Sequence, residues 1–138
     1  MTVQTVLGGA AFLAGRVLFA LVVGYLALGN LLDLEGAVGY AESKGAPLAS
    51  LTVPAGSLAM LVGAVSLLLG VYPLVGGLAV AGFLVAVTPV MHDFWNATGQ
   101  AAENERIHFL KNAGLLGATL AFVALAAAEW PYALGVTL

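Results

Sequence analysis

Two short polar strings stand out in a sequence of 138 residues that is otherwise strongly apolar. The first contains His92, Asp93 and Trp95 and directly follows an apolar run. A carboxylate beside an imidazole can orient the ring and raise its basicity, so that the histidine could exchange protons with a ligand. The tryptophan could stack on a planar ligand, and it could equally be a simple aromatic anchor at a membrane surface.

The second string contains His108, Lys111 and Asn112 and opens the next apolar run. Polar groups beside apolar segments need hydrogen-bond partners, and a single loop connects the two strings. We predict an ion pair between Asp93 and Lys111, with Asn112 capping backbone groups of the loop. The expected polar pocket, either a tie between helices or a ligand site, consists of His92, Asp93, Trp95, Lys111 and Asn112.

Metal binding has a thin set of candidate ligands. Glu105 and His108 have the E-x-x-H spacing of di-iron helical bundles, but such a site needs a second motif and further carboxylates, which the apolar runs lack. A mononuclear site of His92, Asp93 and His108 stays open, although no metal is predicted. The chain has no Cys, which excludes disulfides, thiol relays and iron–sulfur ligation.

The composition predicts an integral membrane protein, because 62% of the residues are hydrophobic and only 8% are charged. A soluble domain carries roughly 25% charged residues. A bilayer core of about 30 Å needs roughly 20 apolar residues as helix. We therefore predict an all-α bundle of four transmembrane helices, a single domain over residues 1–138 that is multi-pass in the cell membrane, with spans at about residues 6–32, 51–69, 74–91 and 109–128.

The connections predict which ends of the spans lie together. Residues 70–73 form a very short hairpin turn, whereas residues 33–50 and 92–108 form longer polar loops that would share the opposite face of the membrane. The long loops carry Lys44 and Arg106, with Lys111 adjacent, so the positive-inside rule places them in the cytoplasm. Met1–Gly15 contains neither Lys nor Arg, so we expect a retained first helix and no cleaved signal.

Arg16 lies about ten residues into the first span, near the middle of the membrane. Burying an arginine there costs at least ~2.5–3.5 kcal/mol, so we predict that it faces the bundle and contacts polar groups of other helices. The candidates are Asn30, Ser66 and Thr88, and a side chain reaching the membrane surface is the alternative. Small residues recur four apart in every span, as in Ala59 and Gly63, which favours close packing within one chain or in an oligomer.

Several of these strings resemble the DoxX family of small four-helix membrane proteins. Family-like features of the first half are Gly15-Arg16, the stretches 33–36 and 40–47 with a KG-x-P ending, and the glycine end of the second span at 67–70. His92-Asp93-Phe94-Trp95 and Phe109-Leu110-Lys111-Asn112 look like two further family strings. Family members often carry an acidic residue at the position of Met60 and a basic residue at that of Asn30, so the resemblance implies that Arg16 lacks its usual acidic neighbour here.

The resemblance implies a setting in quinone-linked membrane redox chemistry and sulfur metabolism. The family takes its name from a membrane subunit linked to a terminal oxidase, a relative is the membrane part of a thiosulfate–quinone oxidoreductase, and others associate with proteins that detoxify oxygen radicals.

Two functions are therefore expected as alternatives. The lack of Cys, of haem-spaced histidines in the spans and of a soluble domain favours a non-enzymatic membrane subunit or scaffold of a partner complex. The alternative is a quinone-linked oxidoreductase subunit, with quinone bound at the surface of the third and fourth spans. The expected partners are the lipid bilayer, other membrane or redox proteins and further copies of the chain, but not nucleic acid, because the sequence holds only 4 Lys and Arg in total.

Overall fold

The computed structural model describes residues 6–137, and its regular elements are helices. Four of them are long and apolar enough to cross a membrane, which confirms the predicted four-helix architecture. Residues 1–5 and residue 138 lie outside the described range. In chain order the helices are α1 Val6–Leu32, α2 Leu34–Ser43, α3 Ala49–Leu69, α4 Pro73–Met91 and α5 Gly99–Ala124, with a 3₁₀ turn at Phe94–Asn96 before α5.

The long loops are more ordered than the sequence predicted. The first contains α2, which begins where the Asp33 carboxylate accepts a hydrogen bond from the Gly36 N–H at 3.2 Å. The fourth span was predicted from about 109 to 128, but α5 begins at Gly99 and ends at Ala124. Its early turns are polar, so hydrophobicity alone did not reveal them. Just beyond its end, the Trp130 indole N–H donates to the Leu125 carbonyl at 2.8 Å.

The spans pack in chain order, α1 against α3, α3 against α4, and α4 against α5. Gly63 and Gly76 bring α3 and α4 close together, because a Cβ on Gly63 would lie 2.7 Å from the Gly76 carbonyl oxygen. Small residues therefore serve internal packing at this contact. A Cβ on Gly114 or Gly117 of α5 would meet nothing within 4 Å, so these two glycines do not serve packing within the chain, and the predicted oligomer stays a prediction.

The two ends of the bundle are different, and we call them the loop face and the hairpin face. The loop face carries α2 and the 3₁₀ turn. At the hairpin face the Tyr72 N–H donates to the Val136 carbonyl at 2.7 Å, and the Leu134 N–H donates to that of Leu69 at 2.9 Å. Gly70 makes this approach feasible, since its φ is +67° and a Cβ there would lie 2.5 Å from the Ala133 Cβ. The predicted separation of the long loops from the short turn is confirmed.

Membrane orientation gives a first testable prediction. The loop face carries Lys44, Arg106 and Lys111, so we expect this face to lie in the cytoplasm. A reporter active only in the cytoplasm should work when inserted at Gln100, and a reporter active only outside it should work when fused after residue 138. The opposite pattern of activities would show that the orientation is reversed.

Candidate functional site

The predicted Asp93–Lys111 pair does not form, and this expectation was wrong. Asp93 instead pairs with Lys44 at the end of α2, with 3.0 Å between Nζ and Oδ1. Lys111 is exposed on α5. Because α5 begins at Gly99, Lys111 lies about three turns along the helix, and an earlier turn of α5 is level with Asp93.

Glu105 provides that earlier contact and joins three elements of the loop face. Its Oε1 accepts a hydrogen bond from the Tyr40 hydroxyl at 3.0 Å and lies 3.3 Å from the Lys44 ammonium. Its Oε2 accepts from Nδ1 of His92 at 2.8 Å, which leaves Nε2 of the neutral ring as an acceptor. Helix α2, the end of α4 and the start of α5 are thereby tied together. We call Tyr40, Lys44, His92, Asp93 and Glu105 the charged cluster.

The ion-paired side chains of the charged cluster are mostly shielded from water, being 15–25% exposed, whereas Tyr40 at its edge is 45% exposed. The hydrogen bond to Asp93 raises the pKa of Lys44 above its ordinary value. Burial and the hydrogen bond to Glu105 raise the pKa of Tyr40. Both shifts favour the protonated form of the group in the folded protein.

These two pKa shifts predict a loss of stability in alkali. The ordinary pKa is 10.5 for a lysine and 10.0 for a tyrosine, and we take these as the values in the unfolded chain. Because both pKa values are raised on folding, the two groups stabilise the folded protein fully below these values. That stability is lost as the pH rises through the pKa values of the folded protein. The thermal midpoint of the purified protein should therefore fall between about pH 10 and 12. Lys44→Met should show a smaller fall over that interval. An equal fall in both proteins would show that Lys44 is not the cause.

The histidines do not form a metal centre with Asp93. The rings of His92 and His108 stack with centroids 5.2 Å apart, but Nδ1 of His92 is held by Glu105. Asp93 accepts hydrogen bonds from Lys44 and, at 3.2 Å, from Asn96. Within residues 6–137, no three His, Asp or Glu side chains are arranged to hold a metal ion.

Trp95 lies beside the charged cluster and belongs to a group of aromatic rings. It meets Phe94 and Phe109 edge to face, at 5.3 and 6.0 Å between centroids, and 55% of it is exposed. The Arg106 guanidinium lies 5.4 Å from the centre of the Phe94 ring. We call Phe94, Trp95, Phe109 and Arg106 the aromatic patch.

Asn112 is not part of the charged cluster and does not cap the loop, contrary to the prediction. It is buried between α4 and α5, and its Nδ2 donates to the Thr88 hydroxyl at 3.2 Å. A polar bond of this kind between two spans is common interhelical glue in membrane proteins. Of the five predicted pocket residues, His92 and Asp93 belong to the charged cluster and Trp95 to the neighbouring aromatic patch.

Arg16 is completely buried, which confirms that it points into the bundle. Its Nε donates to the Leu67 carbonyl at 3.1 Å and its Nη2 to that of Leu68 at 2.5 Å, both in the last turn of α3. Carbonyls in a last helical turn lack intrahelical donors and carry the negative end of the helix dipole. Nη1 donates to the Pro131 carbonyl at 2.6 Å. Arg16 therefore joins α3 to the segment that follows α5.

The predicted side-chain partners of Arg16 were wrong. Asn30 donates to Ser57, Thr88 accepts from Asn112, and the Ser66 hydroxyl donates to the Val71 carbonyl. Arg16 is level with the last turn of α3, at the hairpin-face end of that helix. The position of Met60, where relatives often carry an acid, lies about two turns of α3 away from Leu67.

The sequence analysis missed the parts played by Tyr40, Lys44 and Glu105. Tyr40 and Lys44 are four residues apart, which is the spacing of neighbours on one helix face, but that spacing has meaning only once α2 is known to be a helix. Glu105 was considered only for its spacing to His108. Its pairing across three elements has no signature along the chain.

Four apolar membrane-length helices with polar ends define a multi-pass integral membrane protein. The sequence model of the family described as DoxX matches residues 11–93, more than half of the chain. The protein therefore belongs to the DoxX family. The match runs from α1 to the His92-Asp93 pair and does not include α5. No curated protein and no solved structure matches the chain.

Proposed function

We propose that the protein is a non-enzymatic membrane subunit that holds a partner protein at its loop face. The observation that supports this is the internal pairing of the charged cluster. Lys44 pairs with Asp93 and Glu105, and the remaining oxygen of Glu105 is engaged by His92. These groups stabilise the arrangement of α2, α4 and α5, which is the property required of a rigid scaffold.

The aromatic patch supplies the proposed contact surface. Trp95 is exposed while its neighbours Phe94 and Phe109 hold it from the side. Tryptophan and arginine are over-represented among the residues that dominate protein–protein binding. An exposed tryptophan fixed by rigid elements would lose little side-chain entropy on binding, so this patch is suited to a protein partner.

Site-specific photocrosslinking in native membranes tests this proposal. A photoreactive residue at Trp95 or Gln100 should crosslink to the same protein, and the same residue at the exposed Leu78 of α4 should not. The identified protein should also co-purify in fixed ratio with the wild type and be lost from Trp95→Ala, with thermal stability unchanged. Crosslinks to lipid alone at all three positions would contradict the proposal.

A quinone-linked oxidoreductase subunit is the second candidate function. The observation that favours it is His92, whose Nδ1 is held by Glu105 so that Nε2 stays an acceptor, three residues before the exposed Trp95. The chain has 2 Trp, so Trp130→Phe makes Trp95 the single fluorescent reporter. A short-chain quinone should quench that fluorescence saturably, and His92→Ala should weaken the effect. Quenching that rises linearly with quinone concentration in both proteins would count against this candidate.

A further inference from the structure

A cavity of about 290 Å³ lies beneath α2, between α1, α3 and α4, and is separate from the aromatic patch. Its volume is just below that of typical ligand-binding pockets, which range over roughly 300–1,000 Å³. Tyr40 is the one member of the charged cluster among its walls. The residues that define its character are Asn30, Tyr40, Ser57, Phe83, Val87 and Met91.

The walls carry no charged side chain. Their polar groups are the Asn30 amide and the hydroxyls of Ser57, Thr52 and Tyr40. The Tyr40 hydroxyl donates to Glu105, and the Thr52 hydroxyl bonds the Pro47 and Leu48 carbonyls. An ionised ligand would lose its hydration here without gaining a counter-ion, a penalty of several kcal/mol per charge. The cavity therefore selects an uncharged molecule.

Asn30, beside the buried Ser57, has polar groups that could hydrogen-bond such a molecule. Nδ2 of Asn30 donates to the Ser57 hydroxyl oxygen at 3.2 Å. An asparagine amide has two N–H donors and a carbonyl acceptor, so one donor and the acceptor remain. In the described part of the chain no buried side-chain polar atom is without a partner, so the Asn30 carbonyl oxygen, which has no hydrogen bond to the protein, is not sealed inside it.

Phe83, Val87 and Met91 follow one another along α4 at helical spacing and form an apolar wall. The rise from Phe83 to Met91 is about 12 Å, which is the length of a short alkyl chain laid parallel to the helices. A volume near 290 Å³ is the size needed to hold one short alkyl chain.

We propose that this cavity is a binding site for one uncharged single-chain lipid, with its hydroxyl or ester head at Asn30 and Ser57 and its chain along α4. This inference does not depend on the proposed scaffold role, because the cavity and the aromatic patch are different surfaces.

The experiment uses the full chain in mild detergent with two matched probes, monodecanoylglycerol and decanoate. The two share a chain and differ in charge. Native mass spectrometry should show a one-to-one adduct with monodecanoylglycerol, and the thermal midpoint should rise with that probe and not with decanoate. Equal adducts with decanoate would overturn the assignment of an uncharged ligand.

Two variants locate the adduct. Ala86→Leu adds bulk to the cavity wall and should abolish it, whereas Ala118→Leu makes the same change on an exposed surface of α5 and should leave it intact. Asn30→Leu removes the head-group bonds and should weaken binding roughly tenfold. An adduct that persists in Ala86→Leu would overturn the site. An adduct with a short-chain quinone and none with monodecanoylglycerol would also overturn it, while leaving the scaffold proposal untouched.

Discussion

Replacing Arg16 by Met should lower the free energy of unfolding by at least about 3 kcal/mol, since each hydrogen bond to a charged group is worth roughly 1.5–3 kcal/mol. The guanidinium donates to carbonyls of Leu67, Leu68 and Pro131 and lies 5.3 Å from the Trp130 ring. Methionine fills similar space but leaves those carbonyls without donors in an apolar setting. The measurement is unfolding in mixed micelles by titration with a denaturing detergent.

A second variant tests whether the charge of Arg16 is enough, and a deletion tests whether Arg16 holds the segment after α5. Arg16→Lys keeps the charge but cannot reach several carbonyls with one compact ammonium, so its stability should lie between those of wild type and Arg16→Met. Deletion of residues 130–138 removes Trp130 and the Pro131 carbonyl. In that background Arg16→Met should cost clearly less than in the full chain, because the two changes remove a shared interaction. Strictly additive effects would show that Arg16 does not hold this segment.

Replacing Glu105 by Gln should lower the stability by about 2 kcal/mol, less than the 3–5 kcal/mol of a fully buried pair because the cluster is partly exposed. Glu105 is 15% exposed and contacts Tyr40, Lys44 and His92. The glutamine amide has one acceptor oxygen in place of two, so it cannot accept hydrogen bonds from Tyr40, Lys44 and His92 together. Its NH₂ group would face at least one of these donors. The partly hydrated Lys44 ammonium would also lose one of its two carboxylate partners.

The chain contains a matched control for this substitution. Glu103 pairs with Arg106 at 3.0 Å, but both side chains are about half exposed. Glu103→Gln removes the same charge from the same helix and should change the stability by less than about 0.5 kcal/mol. Lys44→Met combined with Glu105→Gln should cost less than the sum of the single changes. If Glu105→Gln and Glu103→Gln had equal effects, the charged cluster would not be a tie between helices.

The existence of the four membrane helices was predictable because each contains a long apolar run, and such a run is a local property of the sequence. Residues 74–91 of the third predicted span correspond closely to α4, Pro73–Met91, since a proline precedes the run and polar residues follow it. The beginning of α5 was missed because the prediction followed only the apolar run. Its first turns are polar and lie outside the apolar run that marks the span, so length and hydrophobicity could not detect them.

The amino-acid sequence by itself determined the class of protein, the number of spans and the burial of Arg16. Each follows from the cost of placing particular groups in hydrocarbon, which depends on composition within one segment. The partners of the polar groups were decided only by tertiary structure. Arg16 meets Pro131 from the far end of the chain, and Glu105 meets Lys44 of α2. Such contacts depend on where each helix begins and ends and how it is rotated, and packing between distant segments sets both.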